Sequence, residues 1–242
     1  MITNNTIKFI KSLQNKKSRH DLGFFIVEGY KSVLELLKSD FEVVDIYYTD
    51  QFEIKNESIN VNNFIKVSAK DLDRMTHLTS NDEVLALVKI KKSNFPTNNE
   101  TTIVLDDIND PGNLGTIIRT ADWFGIKHLV CSSNTVDYLN SKSISASKGS
   151  FLRVNVVYTN LEEYFKTQKR NVFGAYMDGI LLESVKIEKG DLIVLGNESN
   201  GISDKVKPYI TQKITISGGN STESLNVAIS AGIILNHFYA KI

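Results

Sequence analysis

The sequence predicts an α/β protein, a mostly parallel sheet covered by helices on both faces and preceded by a smaller α/β domain. Two observations carry this reading. From residue 101 onward, short apolar runs rich in β-branched residues alternate with stretches of helical periodicity, the rhythm that strand–helix–strand crossovers impose. Ahead of them, Ser93 to Glu100 (SNFPTNNE) is polar and holds one of only three prolines in the chain, which marks a linker. The expected organisation is a first domain over residues 1–92, a linker over 93–100 and a second domain over 101–242.

Residues 5–20 read as one basic helix, with Ile7, Ile10 and Leu13 at helical spacing. Phe24 to Val27 is a short apolar strand, Glu28 and Gly29 turn the chain, and Val33, Leu34, Leu36 and Leu37 line a helix. VVDIYYT reads as a strand, FIKVSAKDLDRMT as a strand running into a helix, and VLALVKI as a further strand. In the second domain TTIVLDD is a buried strand, NDPGNLG a loop, and TIIRTADWFG a helix with Ile117, Ile118, Ala121 and Phe124 on its apolar face. HLVCSS, VNVVYT, NVFGAYM, DLIVLGNE and ITIS follow as strands. SKSISASKGSFLRV holds a short helix, LEEYFKTQ forms another, and SLNVAISAGIILNHF makes a long apolar helix. Ligands of parallel sheets bind at the carboxyl ends of the strands. Three unusual loops sit at that edge.

Composition narrows the function classes. With 28 basic and 28 acidic residues the net charge is zero, which excludes a protein that coats nucleic acid by charge alone and leaves room for a local basic patch. Residues 1–20 supply one, with Lys8, Lys11, Lys16, Lys17 and Arg19 and no acid. A solvated helix face accounts for such a run equally well. The single cysteine, Cys131, excludes an internal disulfide and fits a reducing cytosol, so a cytoplasmic location is expected. One cysteine and four scattered histidines leave no cysteine–histidine metal site. No apolar run nears the roughly 20 residues that span a bilayer, and the start lacks the apolar stretch of a signal peptide. No membrane partner is expected.

The first loop is DDINDPGNLGTIIR, residues 106–119. Pro111 and Gly112 make a tight turn, Asn113 can cap the helix that follows, and Arg119 falls on an otherwise apolar segment where it needs a partner or a polar cavity. The second is LIVLGNESNGI, residues 192–202, an apolar strand running into Gly196-Asn197-Glu198. The third is ITISGGNSTESLNVA, residues 214–228, where Ser224 and Asn226 stand at the start of a helix and could serve as caps. Each loop alone is a weak signal.

Together and in this order, Asn-x-Gly…Arg-Thr-Ala-x-x-Phe-Gly, Leu-Gly-Asn-Glu-x-x-Gly and Ser-Leu-Asn-Val resemble the three motifs of the SpoU/TrmH family of RNA methyltransferases. Ser141-Lys142 and Ala146-Ser147-Lys148-Gly149-Ser150 resemble a further family segment, with Ser141 in place of the common proline and Lys148 in place of an often apolar residue. The N-terminal stretch Leu13…Lys16-Lys17…Arg19, followed by Phe25-Ile26-Val27-Glu28-Gly29, resembles the substrate-binding domain of the rRNA-modifying branch.

The resemblance implies transfer of a methyl group from S-adenosylmethionine to a ribose 2′-hydroxyl, in rRNA because of the additional N-terminal domain. It also implies a deep trefoil knot at about residues 192–230 and a homodimer through that region. Carried over residue by residue, Asn113, Arg119, Glu198, Ser224 and Asn226 are the polar active-site positions. Leu195, Gly196, Ile216, Leu225 and Asn226 are the cofactor positions, acting largely through backbone groups. A guanidinium has a pKa above about 12, so Arg119 is expected to grip a phosphate and stabilise developing alkoxide charge rather than act as a base. Lys16, Lys17, Arg19 and Lys142 are candidates for RNA backbone contacts. Tyr47 and Tyr48 could stack on bases, although strand aromatics more often belong to a core. A tRNA substrate, and an RNA-binding protein of the same fold without catalysis, remain open alternatives. A dinucleotide enzyme or a serine hydrolase is disfavoured, because no G-x-G-x-x-G, Walker-type or G-x-S-x-G pattern occurs.

Overall fold

The computed structural model describes residues 2–52, 63–78, 83–218 and 224–239. The chain forms two compact units, residues 1–92 with 139–152, and residues 93–138 with 153–242.

The first unit begins with α1 (Asn4–Ser12) and α2 (Lys16–Leu22). The single helix expected over 5–20 is thus broken in two, and the cause is local. Asn15 accepts hydrogen bonds from the Lys17 and Ser18 amides and starts a new helix, which Gly23 ends in the left-handed region at φ +77°. Then come β1 (Phe24–Glu28), α3 (Tyr30–Leu37), β2 (Val43–Tyr48), β3 (Asn63–Lys66), α4 (Ala69–Met75) and β4 (Val84–Lys89). The sheet order is β1-β4-β2-β3, with β4 antiparallel to both neighbours and β2 parallel to β3. On one face Ile7, Ile10 and Leu13 pack with Leu72 and Met75 against Ile26, Tyr47, Leu85 and Leu87. Tyr47 is therefore core.

The second unit contains β5 (Thr102–Leu105), α5 (Pro111–Trp123) and β6 (His128–Ser132). After β6 the chain leaves it for the short helix α6 (Ser141–Ser147), then returns as β7 (Asn155–Thr159), α7 (Leu161–Lys166), β8 (Val172–Leu181), β9 (Leu192–Leu195), β10 (Gln212–Thr215) and α8 (Val227–Tyr239). Six strands lie in the order β10-β8-β9-β5-β6-β7, and every pair is parallel. β5 and β9 are buried along their whole length, as the uninterrupted apolar runs TIVL and LIVL require in a sheet covered on both faces. β8 runs on to Leu181, past the expected end at residue 177, and its register against β10 shifts between Lys213 and Ile214.

Residues 139–152 were expected in the second domain, yet they pack with the first unit. Phe151, 1% exposed, meets Phe25 and Phe41 in an aromatic cluster, and Ser141 Oγ lies 3.3 Å from His77 Nδ1. The apolar face of the first sheet opposite Tyr47 needs this cover.

Candidate functional site

Because all six strands run the same way, the loops that follow β5, β9 and β10 emerge at one edge of the sheet. The first of them is shorter than expected. Pro111 and Gly112 form the opening turn of α5, and Asp110, not Asn113, is the cap, its carboxylate accepting the Asn113 amide at 2.8 Å. Asn113 lies inside the first helical turn, which frees its carboxamide to point away from the helix.

That carboxamide joins the three motifs. Asn113 Nδ2 donates to Glu198 Oε1 at 2.7 Å, and Asn113 Oδ1 accepts from Asn226 Nδ2 at 3.0 Å. Asn226 Oδ1 in turn accepts the amides of Ala228 and Ile229, capping α8. The carboxylate accepts only, so the direction of each amide in the chain is fixed. Ser224, the other expected cap, is exposed and leaves that role to Asn226.

A second set of bonds holds the loop after β9. Asn197 accepts the Ser199 and Asn200 amides through Oδ1 and donates through Nδ2 to the carbonyl of Asp107 at 2.8 Å. Asp107 itself has φ +61°. Asp106, 5% exposed, accepts the Ser203 amide at 2.7 Å. A Cβ on Gly196 would lie 2.2 Å from the backbone carbon of Gly201, so only glycine fits where this loop doubles back on itself. Asp106 and Asn197 were not among the expected site residues. Each sits beside a motif residue, but its bond is to a backbone group distant in sequence, which spacing does not reveal.

The cofactor positions surround this edge. Leu195 is buried, Gly196 and Ile216 are half-buried, and Leu225 is 47% exposed. Among the described residues, the backbone groups of Gly196, Ile216 and Leu225 form no hydrogen bond with one another or with the rest of the chain. Free amides and carbonyls beside apolar side chains are what recognition of an adenosyl group requires. Those three positions fit the expected cofactor.

Arg119 lies on the exposed side of α5, and among the described residues its side chain makes no hydrogen bond or ion pair. It is not tied to the Glu198–Asn113–Asn226 chain within one copy. Trp123, one helical turn further on, is 83% exposed. Leu225, just before α8, and Ile229 (55%) and Ile233 (38%) along it form an exposed apolar stripe at four-residue intervals.

The RNA candidates separate. Lys16, Lys17 and Lys142 are exposed, and Lys142 belongs to the first unit with the two others. Arg19 is a correction. It is 2% exposed, and its guanidinium donates to the carbonyls of Leu13 and Gln14 at 2.8 and 2.9 Å, satisfying the backbone groups left open where α1 stops.

Residues 100–236 match the SpoU rRNA Methylase family, and residues 4–86 match an MRM3-like substrate binding domain. The chain is 28% identical over 238 residues to the 23S rRNA (guanosine(2553)-2'-O)-methyltransferase RlmP of Bacillus subtilis, covering 97% of this chain and 96% of that protein. Among solved structures it is similar to a TrmH-family protein from Porphyromonas gingivalis described as a putative RNA methyltransferase, with 32% identity, a TM-score of 0.87 and 98% of both chains covered. It is also similar to an AdoMet-bound rRNA methyltransferase from Sinorhizobium meliloti, with 26% identity, a TM-score of 0.87, and 99% of this chain and 96% of that one covered. With three motif loops joined at one sheet edge and a family match over more than half its length, the chain belongs to the SpoU rRNA methylase family.

Proposed function

We propose that this protein methylates a ribose 2′-hydroxyl of rRNA, with S-adenosylmethionine as methyl donor. The observation that carries the reading is the chain Glu198–Asn113–Asn226, which joins the three motif loops beside the cofactor positions. The likeness to the 23S rRNA 2′-O-methyltransferase of Bacillus subtilis and to the AdoMet-bound rRNA methyltransferase of Sinorhizobium meliloti supports the substrate class and the donor.

S-adenosylmethionine, when bound, supplies a sulfonium-activated methyl group. Leu195, Gly196, Ile216 and Leu225 would hold its adenosyl part. The chain's own task is to place an oxygen in line with that methyl and to ease loss of the hydroxyl proton. Asn113, held at both ends of its amide, is a positioned hydrogen-bonding group for the ribose. Arg119, permanently charged, grips the neighbouring phosphate and stabilises the developing alkoxide. Lys16, Lys17 and Lys142 contact the RNA backbone.

The working form is a homodimer. Arg119, Trp123 and the stripe Leu225–Ile229–Ile233 are left uncovered in one copy, and a second copy would bury the apolar part of that surface. The segment of about residues 192–230, of which 219–223 lie outside the described residues, would form the trefoil knot characteristic of the family.

The test is methyl transfer from radiolabelled S-adenosylmethionine to protein-free rRNA, to ribosomal particles and to tRNA. Label is expected in rRNA or its particle, lowered about 100- to 1,000-fold by Arg119→Ala and not restored by Arg119→Lys. Label confined to tRNA would overturn the substrate, and none in any RNA would overturn the reading.

A further inference from the structure

A groove of about 500 Å³ opens on the first unit. Its floor is the sheet, where Asp45 and Tyr47 of β2 face Leu87 of β4 and Ile65 of β3. Its wall is the start of α1, with Thr3, Thr6 and Phe9. A volume of this order holds a small planar ligand with part of a sugar.

Asp45 decides the ligand class. Its half-buried carboxylate accepts the Tyr47 hydroxyl through Oδ2 and Asn63 Nδ2 through Oδ1, each at 3.1 Å. Burial and the Asp45 charge push the Tyr47 phenol up, so it stays protonated and donates. Among the described residues no cation pairs with Asp45. An ionised carboxylate has about four acceptor sites, and two are taken. What remains is one further acceptor site on each carboxylate oxygen, with Ile65 and Leu87 on the floor and the Phe9 ring on the wall.

An anion is repelled by that carboxylate, so the groove is not a phosphate site. A planar group with two adjacent N–H donors fits it. Among RNA bases, guanine presents that pair, N1–H and N2–H, on its Watson–Crick edge; adenine, cytosine and uracil do not. Proteins read this edge in unpaired bases of loops and bulges. The hydroxyls of Thr3 and Thr6, 2.9 Å apart, stand on that wall and can serve the acceptor side of the base.

We infer that this groove binds an unpaired guanine of the RNA substrate, with Asp45 accepting from its N1–H and N2–H. The inference rests on the RNA methyltransferase reading for the source of the base and adds a specificity element remote from the reacting ribose.

The full chain, saturated with S-adenosylmethionine so that added nucleosides do not occupy the adenosyl site, is titrated with guanosine, inosine, adenosine and cytidine while backbone amide NMR shifts are followed. Guanosine is expected to move the amides of residues 3–9 and 45–47. Inosine, which lacks the N2 amino group, should bind about tenfold more weakly or worse, and Asp45→Asn should weaken the guanosine response similarly. Equal responses to all four nucleosides, or none near the groove, would overturn the inference. The inosine comparison uses the unaltered protein and does not depend on how the variant folds. In rRNA methylation Asp45→Asn should raise KM about ten- to hundredfold with kcat kept. An unchanged KM in an active enzyme sinks the groove alone. Guanosine binding in a chain that methylates no RNA sinks the methyltransferase reading alone.

Discussion

Asn113 has two hydrogen-bonding ends, and both are used. Starting from the amides of α8, donors point through Asn226 and Asn113 to the carboxylate of Glu198. The positive end of a helix is thereby linked to a negative charge, an arrangement in which each bond polarises the next. Removing the carboxylate breaks the chain at its acceptor. Glu198→Ala should lower kcat/KM for methyl transfer about tenfold to hundredfold through misplacement of Asn113. Glu198→Gln, which retains an acceptor, should lose less. Equal losses in steady-state assays would show that charge, not orientation, is what Glu198 provides. At this scale the sequence was informative about identity and silent about direction. Asn113 looked like a cap because Asn so often is one. Asp110 holds that position, since a proline at the next residue fixes the first turn one step earlier. Arg19 shows the same limit. Its charge reads as surface, and only the break at Asn15 creates the open carbonyls that bury it.

Elements of the first unit meet at His77. Its Nε2 lies 3.2 Å from the carbonyl of Ile10, at the end of α1, so that nitrogen carries the proton. Nδ1 is left to accept from Ser141 Oγ, at the start of α6. Burial pushes the His77 imidazole down to about 4, aided by the charges of Lys11 and Arg19 and opposed by the bond to Ile10. The folded protein refuses a proton that the unfolded chain takes up near pH 6.5. Stability should therefore be independent of this group above about pH 6.5, fall as the pH drops from there towards 4, and change no further below. Thermal melts at pH 7 and pH 5 should show a loss of Tm that is smaller in His77→Gln; an equal loss in both would assign the effect to other groups. Most elements were legible from periodicity, because β5, β9 and α8 are apolar runs with nothing competing. The break between α1 and α2 was not, since Ile7, Ile10 and Leu13 keep helical spacing right up to it.

On the scale of the whole molecule, one apolar face is left uncovered and one segment from the middle of the second unit's sequence packs with the first unit. Trp123→Glu places a charge in the uncovered face of α5 and α8, and light scattering should report a monomer where the unaltered chain is a dimer. A monomeric unaltered chain, or a variant that still dimerises, would remove the proposed interface. The segment 139–152 has a different consequence. A fragment ending at Lys92 lacks Phe151 and exposes Phe25, so it should lose near-ultraviolet circular dichroism and NMR dispersion even though it spans every strand of its sheet. Phe151→Ala in the full chain should cost about 3–5 kcal/mol, read by denaturant titration of that unit. A native-like fragment would show the segment to be dispensable. The fold class was readable from the alternation of strands and helices. The allegiance of 139–152 was not, because a short polar helix carries no mark of which sheet it will cover.

Among the described residues neither sheet contains a hairpin. β1 pairs with β4, β5 with β9 and β8 with β10, and even β2 and β3 are parallel. The β1–β4 and β5–β9 ladders wait until dozens of intervening residues have been gathered, so entropy is spent long before hydrogen bonds repay it. A chain wired in this way folds late and slowly. During synthesis the strand β5 must keep an open side until β9 has left the ribosome, which makes the nascent chain dependent on protection from aggregation for longer than its 242 residues alone would suggest.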